Sequence, residues 1–168
     1  LYSILIALLT FSFTSCSKTP NELKIAEQIM ETQPDSALYI LQKLQSEKYS
    51  SYANRALYGL LLFEALDKNS LPMQPISLLN FSIDYYTSQN DKIRLGSCYL
   101  YKGRTYLNKN KFELATSEYL KALDNLKSEA NYNILGEVYS DMGKISSLQQ
   151  QYKEARGKYQ LAAKNFTI

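Results

Sequence analysis

From about Pro20 onward, apolar residues return at spacings of three and four, and no run of alternating apolar and polar residues is bounded by hairpin turn residues. That periodicity predicts helices throughout, over 20–32, 35–46, 51–67, 74–88, 92–109, 112–128, 132–149 and 152–166. The punctuation between them is local. Thr19-Pro20-Asn21-Glu22 reads as a hydroxyl N-cap, a proline in the first turn and a glutamate at N3, which is a capping box. Gln33-Pro34-Asp35 offers a stop and an acidic cap, and Asn110-Lys111-Phe112-Glu113 a second cap with glutamate at N3. Breaks this short leave consecutive helices no course except to fold back as antiparallel hairpins. The expected fold class is therefore all-α, with about eight antiparallel helices in four hairpins.

The stretch ahead of this pattern is different. LYSILIALLTFSFTSC carries no charge and is apolar from Leu1 through Leu9. Its 16 residues to the cysteine fall short of the roughly 20 that a membrane-spanning helix needs. It reads as a targeting segment, either an ordinary secretory signal or one ending in lipid attachment. Thr14 and Ser15 before Cys16 resemble the bacterial lipoprotein signal, although Phe13 stands where that pattern usually has leucine. The resemblance implies that Cys16 is lipidated and becomes the mature N-terminus, with a short polar tether, SKTPN, holding the folded part close to the membrane. The missing basic n-region and initiating methionine lead us to expect a few residues ahead of Leu1. Cys98 is then the remaining thiol and is expected to be a small core residue.

Internal repetition decides the architecture. Gly103, Ala115, Tyr119 and Ala122 recur as Gly143, Ala155, Tyr159 and Ala162, each displaced by 40 residues, and Tyr99 with Tyr139 and Phe112 with Tyr152 share the offset. The glycines would let one helix of a hairpin approach its partner closely, the alanines would keep the crossing thin, and Tyr119 and Tyr159 would fill the gap between layers. The order, an aromatic, a glycine four residues on, an alanine twelve further, then an aromatic and another alanine, resembles the tetratricopeptide repeat. It departs from the 34-residue norm by six residues. Tyr58, Gly59 and Leu62 in ALYGLLLFEALDKN mark an earlier first helix, and Ala37 and Leu41 in PDSALYILQKL sit at the small and large packing positions of a first repeat.

Taken with the leader, this arrangement resembles the tetratricopeptide lipoproteins common in Bacteroidetes. That resemblance implies a right-handed superhelix in the cell envelope, lipid-anchored and facing the periplasm. Residues 1–16 would be the signal and 17–168 the repeat domain, with repeats at 20–48, 51–90, 92–130 and 132–168 and an expected continuation past the last. Helix 152–166 presents Tyr152, Tyr159, Ala163 and Phe166 with no polar cap, which leads us to expect a further repeat or self-association there.

Composition narrows the chemistry. With no histidine and two cysteines, neither a histidine-based triad nor a common zinc ligand set can be assembled. Nineteen lysines and arginines against 16 acids give a net charge of +3, too weak and dispersed for a nucleic-acid footprint. GKISS lacks the preceding glycine of a phosphate-binding loop. Glu137 and Asp141, four apart, fit a solvated face better than an acid pair, and Lys102, Arg104, Lys109 and Lys111 are read as a solvated face too. We expect no enzyme, cofactor, metal or catalytic residue, and no nucleic-acid partner.

In this repeat family the residues just after the packing glycine face the concave groove. The resemblance thereby points to Phe63, Leu100, Arg104, Asn108 and Lys144 as groove residues, with Ala56, Leu60, Leu107, Ser140 and Leu148 on the same helix faces. Such a groove would be apolar at one end and basic at the other and would suit a peptide carrying a carboxylate; the competing reading pairs Arg104 and Lys144 with neighbouring acids. The expected function is a membrane-anchored scaffold that binds a protein or peptide outside the cytoplasm, as in the sensory part of a regulator. The alternative is a glycan-binding lipoprotein of an outer-membrane uptake system, disfavoured by the absence of tryptophan.

Overall fold

The computed structural model describes residues 19–44, 51–73 and 75–168. Among them are eight helices and no strand: α1 (Asn21–Ile29), α2 (Pro34–Lys43), α3 (Tyr52–Lys68), α4 (Ile76–Gln89), α5 (Lys92–Leu107), α6 (Phe112–Leu126), α7 (Tyr132–Leu148) and α8 (Tyr152–Phe166). The chain is all-α, a tetratricopeptide-like helical repeat, as the periodicity predicts. Each odd helix pairs with the even helix that follows. Odd helices also touch the next odd helix, α1 with α3, α3 with α5 and α5 with α7, whereas no even helix touches another even one. The odd helices therefore line the inner face of the stack and the even ones the outer face.

The core divides between layers. One apolar cluster joins α1, α2 and α3 through Leu23, Ala26, Ala37, Leu41, Leu61 and Ala65; a second joins α3, α4 and α5 through Ala56, Phe63, Leu79, Tyr86 and Cys98; a third joins α5, α6 and α7 through Leu100, Ala115, Tyr119, Val138 and Met142. Each of the first three pairs is thus closed by the first helix of the next repeat. α3 lies between two such clusters, so apolar residues run round most of its circumference, including Leu57, Leu60, Leu61 and Leu62.

The glycines set the crossings within a hairpin. A Cβ on Gly103 would overlap the Tyr119 ring, and one on Gly143 would lie 2.9 Å from the Tyr159 ring. Gly96 stands likewise against Leu126 and Gly136 against Phe166, a second pair related by 40 residues that the sequence reading did not use. In the earlier repeat Gly59 faces Ser82, whose buried hydroxyl donates to the Ala56 carbonyl at 2.8 Å. The expected packing residues Ala115, Tyr119, Ala122, Ala155 and Ala162 are all buried. Tyr99 and Tyr139 are half-buried, and Tyr159 is 41% exposed.

The helix ends depart from the expected caps. α1 begins at Asn21 with Pro20 as N-cap and no side-chain cap bond, so the Thr19 capping box does not form. Pro34 is the first residue of α2, which places Asp35 inside the first turn rather than at the cap. Asn110 does not cap α6; it adopts φ 55° and closes the turn after α5, where the Lys111 amide donates to the Tyr106 carbonyl. Gln150, 40 residues on, repeats this at φ 62°, with Gln151 donating to Ser146. Such a left-handed closure takes up carbonyls that the helix end leaves open. The caps made by side chains are Ser51, Asp91 and Asn131, accepting from Asn54, Arg94 and Ile134.

Candidate functional site: the concave face

The inner face formed by α1, α3, α5 and α7 holds a groove of about 480 Å³. Its floor is apolar, with Met30, Leu60, Leu61, Leu100, Tyr101 and Ile134, and its walls carry Glu27, Glu31, Glu64, Asp91 and Glu137 against a single guanidinium, Arg94. The groove is acidic. That corrects the expectation of a basic one, and the reason lies in Arg104.

Arg104 sits on α5 with its side chain only 17% exposed, enclosed by carboxylates from the layers before and after it. Its Nη1 binds Asp67 on α3, its Nη2 lies 3.0 Å from Glu137 on α7, and its Nε donates to Asp141, also on α7, at 2.7 Å. Burial works against the guanidinium's charge, but Asp141, Asp67 and Glu137 outweigh it and hold the pKa above its ordinary value. Arg104 is a tie across three repeats, with every fork position engaged, and does not offer a cation to a ligand. Glu137 and Asp141 accordingly form neither a solvated face nor an acid pair, and Arg104 leaves the solvated basic face to which the sequence assigned it.

The other expected groove residues scatter. Phe63 is fully buried and Leu107 is 5% exposed, both inside interlayer clusters, so neither lines an open surface. Leu100 is 1% exposed and contributes only to the groove floor. Asn108 is exposed at the C-cap of α5, and Lys144 is exposed on α7 without an ion pair among the described residues. Cys98 is buried, and that burial pushes its thiol well above the usual range. The proposed lipid-attachment residue, Cys16, lies outside the described residues.

Three carboxylates of the groove region are perturbed. Burial raises Glu64 to about 7, with Lys68 partly offsetting and Glu31, Glu137 and Glu27 reinforcing the rise. Burial also raises Asp67 and Glu137, in each case opposed by Arg104. Lys68 binds Glu31 at 2.9 Å, and Arg94 reaches across from α5 to Glu27 on α1 at 3.2 Å while holding Asp91 at 3.1 Å. Glu64 makes no side-chain hydrogen bond among the described residues; Glu31, with its side chain 75% exposed, is the groove acid most open to an incoming cation. Sequence reasoning missed Glu64, Glu31 and Asp67. For Asp67 a signal existed, since it precedes Arg104 by 37 residues and Asp141 follows by 37, a symmetry that places acids on the flanking repeats.

Among the described residues no group of acids and cysteines could hold a metal ion, and no helix is long and apolar enough to cross a membrane. Neither a protein-family model nor a curated protein matches the chain, so its functional reading rests on its own residues.

Proposed function

We propose that this chain is a helical-repeat scaffold of the tetratricopeptide lipoprotein kind, tethered through lipid on Cys16 outside the cytoplasm, whose concave face binds an extended segment of a partner protein. The observation that carries this reading is the groove itself: a concave, apolar-floored channel along four successive odd helices, walled by five carboxylates and one guanidinium. Its charge favours a segment bearing lysine or arginine beside apolar residues. That replaces the carboxylate-bearing peptide expected from the sequence, because Arg104 is already neutralised within the fold.

Fluorescence anisotropy with two labelled peptides of equal hydrophobicity, one lysine-rich and one glutamate-rich, tests the groove. The lysine-rich peptide binds, binding weakens with salt, and Glu64→Gln with Glu31→Gln reduces affinity about tenfold. Equal binding of both peptides, or binding only to immobilised glycans, sinks the reading. The tether is checked separately. Cys16→Ser releases the protein from membranes and abolishes labelling by a fatty-acid analogue, and unchanged labelling removes the anchor from the proposal.

A further inference from the structure

The concave face carries more carboxylates than cations, and its ion pairs are shared unevenly. Glu27 and Asp91 share Arg94, Glu31 holds Lys68, and Glu137 shares Arg104 with Asp67 and Asp141. Among the described residues Glu64 is the one acid lining the groove that has neither an ion pair nor a side-chain hydrogen bond. It stands half-buried on α3, three and four residues after Leu61 and Leu60, the leucines that this helix gives the groove floor.

The groups around Glu64 make a further negative charge costly there. Glu27 and Glu31 face it from α1 and Glu137 from α7, while α5 brings the buried Tyr101 phenol and Arg94. Lys68, one turn along α3, draws on its charge, but that ammonium is already 2.9 Å from Glu31. Burial and the like charges of Glu31, Glu137 and Glu27 therefore hold a proton on Glu64 up to about pH 7. The chain has no histidine to titrate over the same range, and burial lifts the Cys98 thiol and the Tyr101 phenol further from it. A cation brought in by a ligand would supply what the fold withholds from this one acid.

We infer that Glu64 takes up the ammonium of a lysine on the segment bound in the groove and sheds its proton in doing so, which holds the segment above neutral pH and lets it go below. This rests on the concave-face reading proposed above. The proton leaves the carboxyl for solvent and the lysine keeps its own, so an ammonium–carboxylate pair replaces a neutral acid. The lysine's four-carbon stem lies along the apolar floor, which lets its head pass the exposed Glu31 and reach the more enclosed Glu64.

The probe is the lysine-rich peptide, with the same peptide carrying acetyl-lysine for each lysine as its control. Anisotropy at fixed ionic strength between pH 6 and pH 8 gives affinity, and calorimetry at pH 7 in phosphate and in HEPES gives the protons released. The whole chain binds the lysine-rich peptide about tenfold more tightly at pH 8 than at pH 6 and releases about half a proton at pH 7. The acetylated peptide shows neither effect, and Glu64→Gln keeps the wild-type pH 6 affinity throughout. The acetylated arm uses the wild-type protein, so the test stands even where Glu64→Gln fails to fold. A preference for the lysine-rich over the glutamate-rich peptide with no pH dependence overturns the role of Glu64 and spares the concave-face reading. A pH dependence that survives in folded Glu64→Gln also overturns it, passing the proton to Glu137 or Asp67. No preference at any pH removes both.

Discussion

The α5–α6 and α7–α8 hairpins are near copies in sequence and unlike in environment. Tyr119 is fully buried and its translate Tyr159 is 41% exposed; Arg104 is held by three carboxylates and its translate Lys144 by none among the described residues. The glycine–tyrosine contact persists in both, because it lies within a hairpin. What differs is everything that depends on the next layer. A repeat residue thus has two kinds of partner, one supplied by its own hairpin and one by its neighbour, and only the first is guaranteed by the repeat.

Paired substitutions at equivalent positions separate the two contributions. Tyr119→Ala should cost about 4 kcal/mol, because it empties a ring site sealed by two repeats, while Tyr159→Ala should cost about 1 to 2 kcal/mol. Urea unfolding followed by far-ultraviolet circular dichroism measures both, and equal losses would mean that the interlayer contact contributes nothing. Arg104→Leu leaves Asp67, Glu137 and Asp141 crowded without their cation and should destabilise by about 3 kcal/mol near neutral pH, whereas Lys144→Leu stays within about 0.5 kcal/mol.

The sign of the pH dependence follows. In the Arg104→Leu protein the three acids would be relieved by protonation, so its deficit should shrink as pH falls from 7 toward 5. In the wild type, Glu64 binds its proton more tightly folded than unfolded. Its contribution therefore makes stability decline as pH rises from the ordinary glutamate range to about 7, and Glu64→Gln should flatten that part of the profile.

Smaller effects come from the glycines. Gly103→Ala drives a methyl into a ring that cannot move and should cost about 1 to 3 kcal/mol. At Gly143 the ring is partly exposed and can swing aside, so the helix-propensity gain of about 1 kcal/mol should offset most of the strain. A wild-type melting temperature for Gly103→Ala would contradict the close approach. Smallest of all, Gln150→Gly relieves a left-handed residue and should stabilise by about 0.5 to 1 kcal/mol, while Asn110→Gly gains only a few tenths because asparagine tolerates that conformation.

Much of this organisation was legible from residue spacing. The eight helices, the hairpin pairing and the packing of Ala115, Tyr119 and Ala122 all follow from periodicities of three, four and forty, since the helix turns and the Gly103–Tyr119 approach lie within one hairpin. The same offset already contained Gly96 with Gly136 and Leu126 with Phe166, although neither pair carries a familiar motif. One cap assignment failed because the candidate residue had a second use. Asn110 was needed to close α5 in the left-handed region, so it could not also cap α6.

By itself, then, the order of residues determined which segments are helical, how each folds onto its neighbour and which small residues permit the approach, because these depend on interactions over one or two turns. The sign of the concave face was decided only in the tertiary structure. Whether an arginine is offered to a ligand or consumed by the fold depends on carboxylates brought to it from 37 residues away in both directions, and desolvation then makes their pairing with Arg104 stronger than any exposed contact would be.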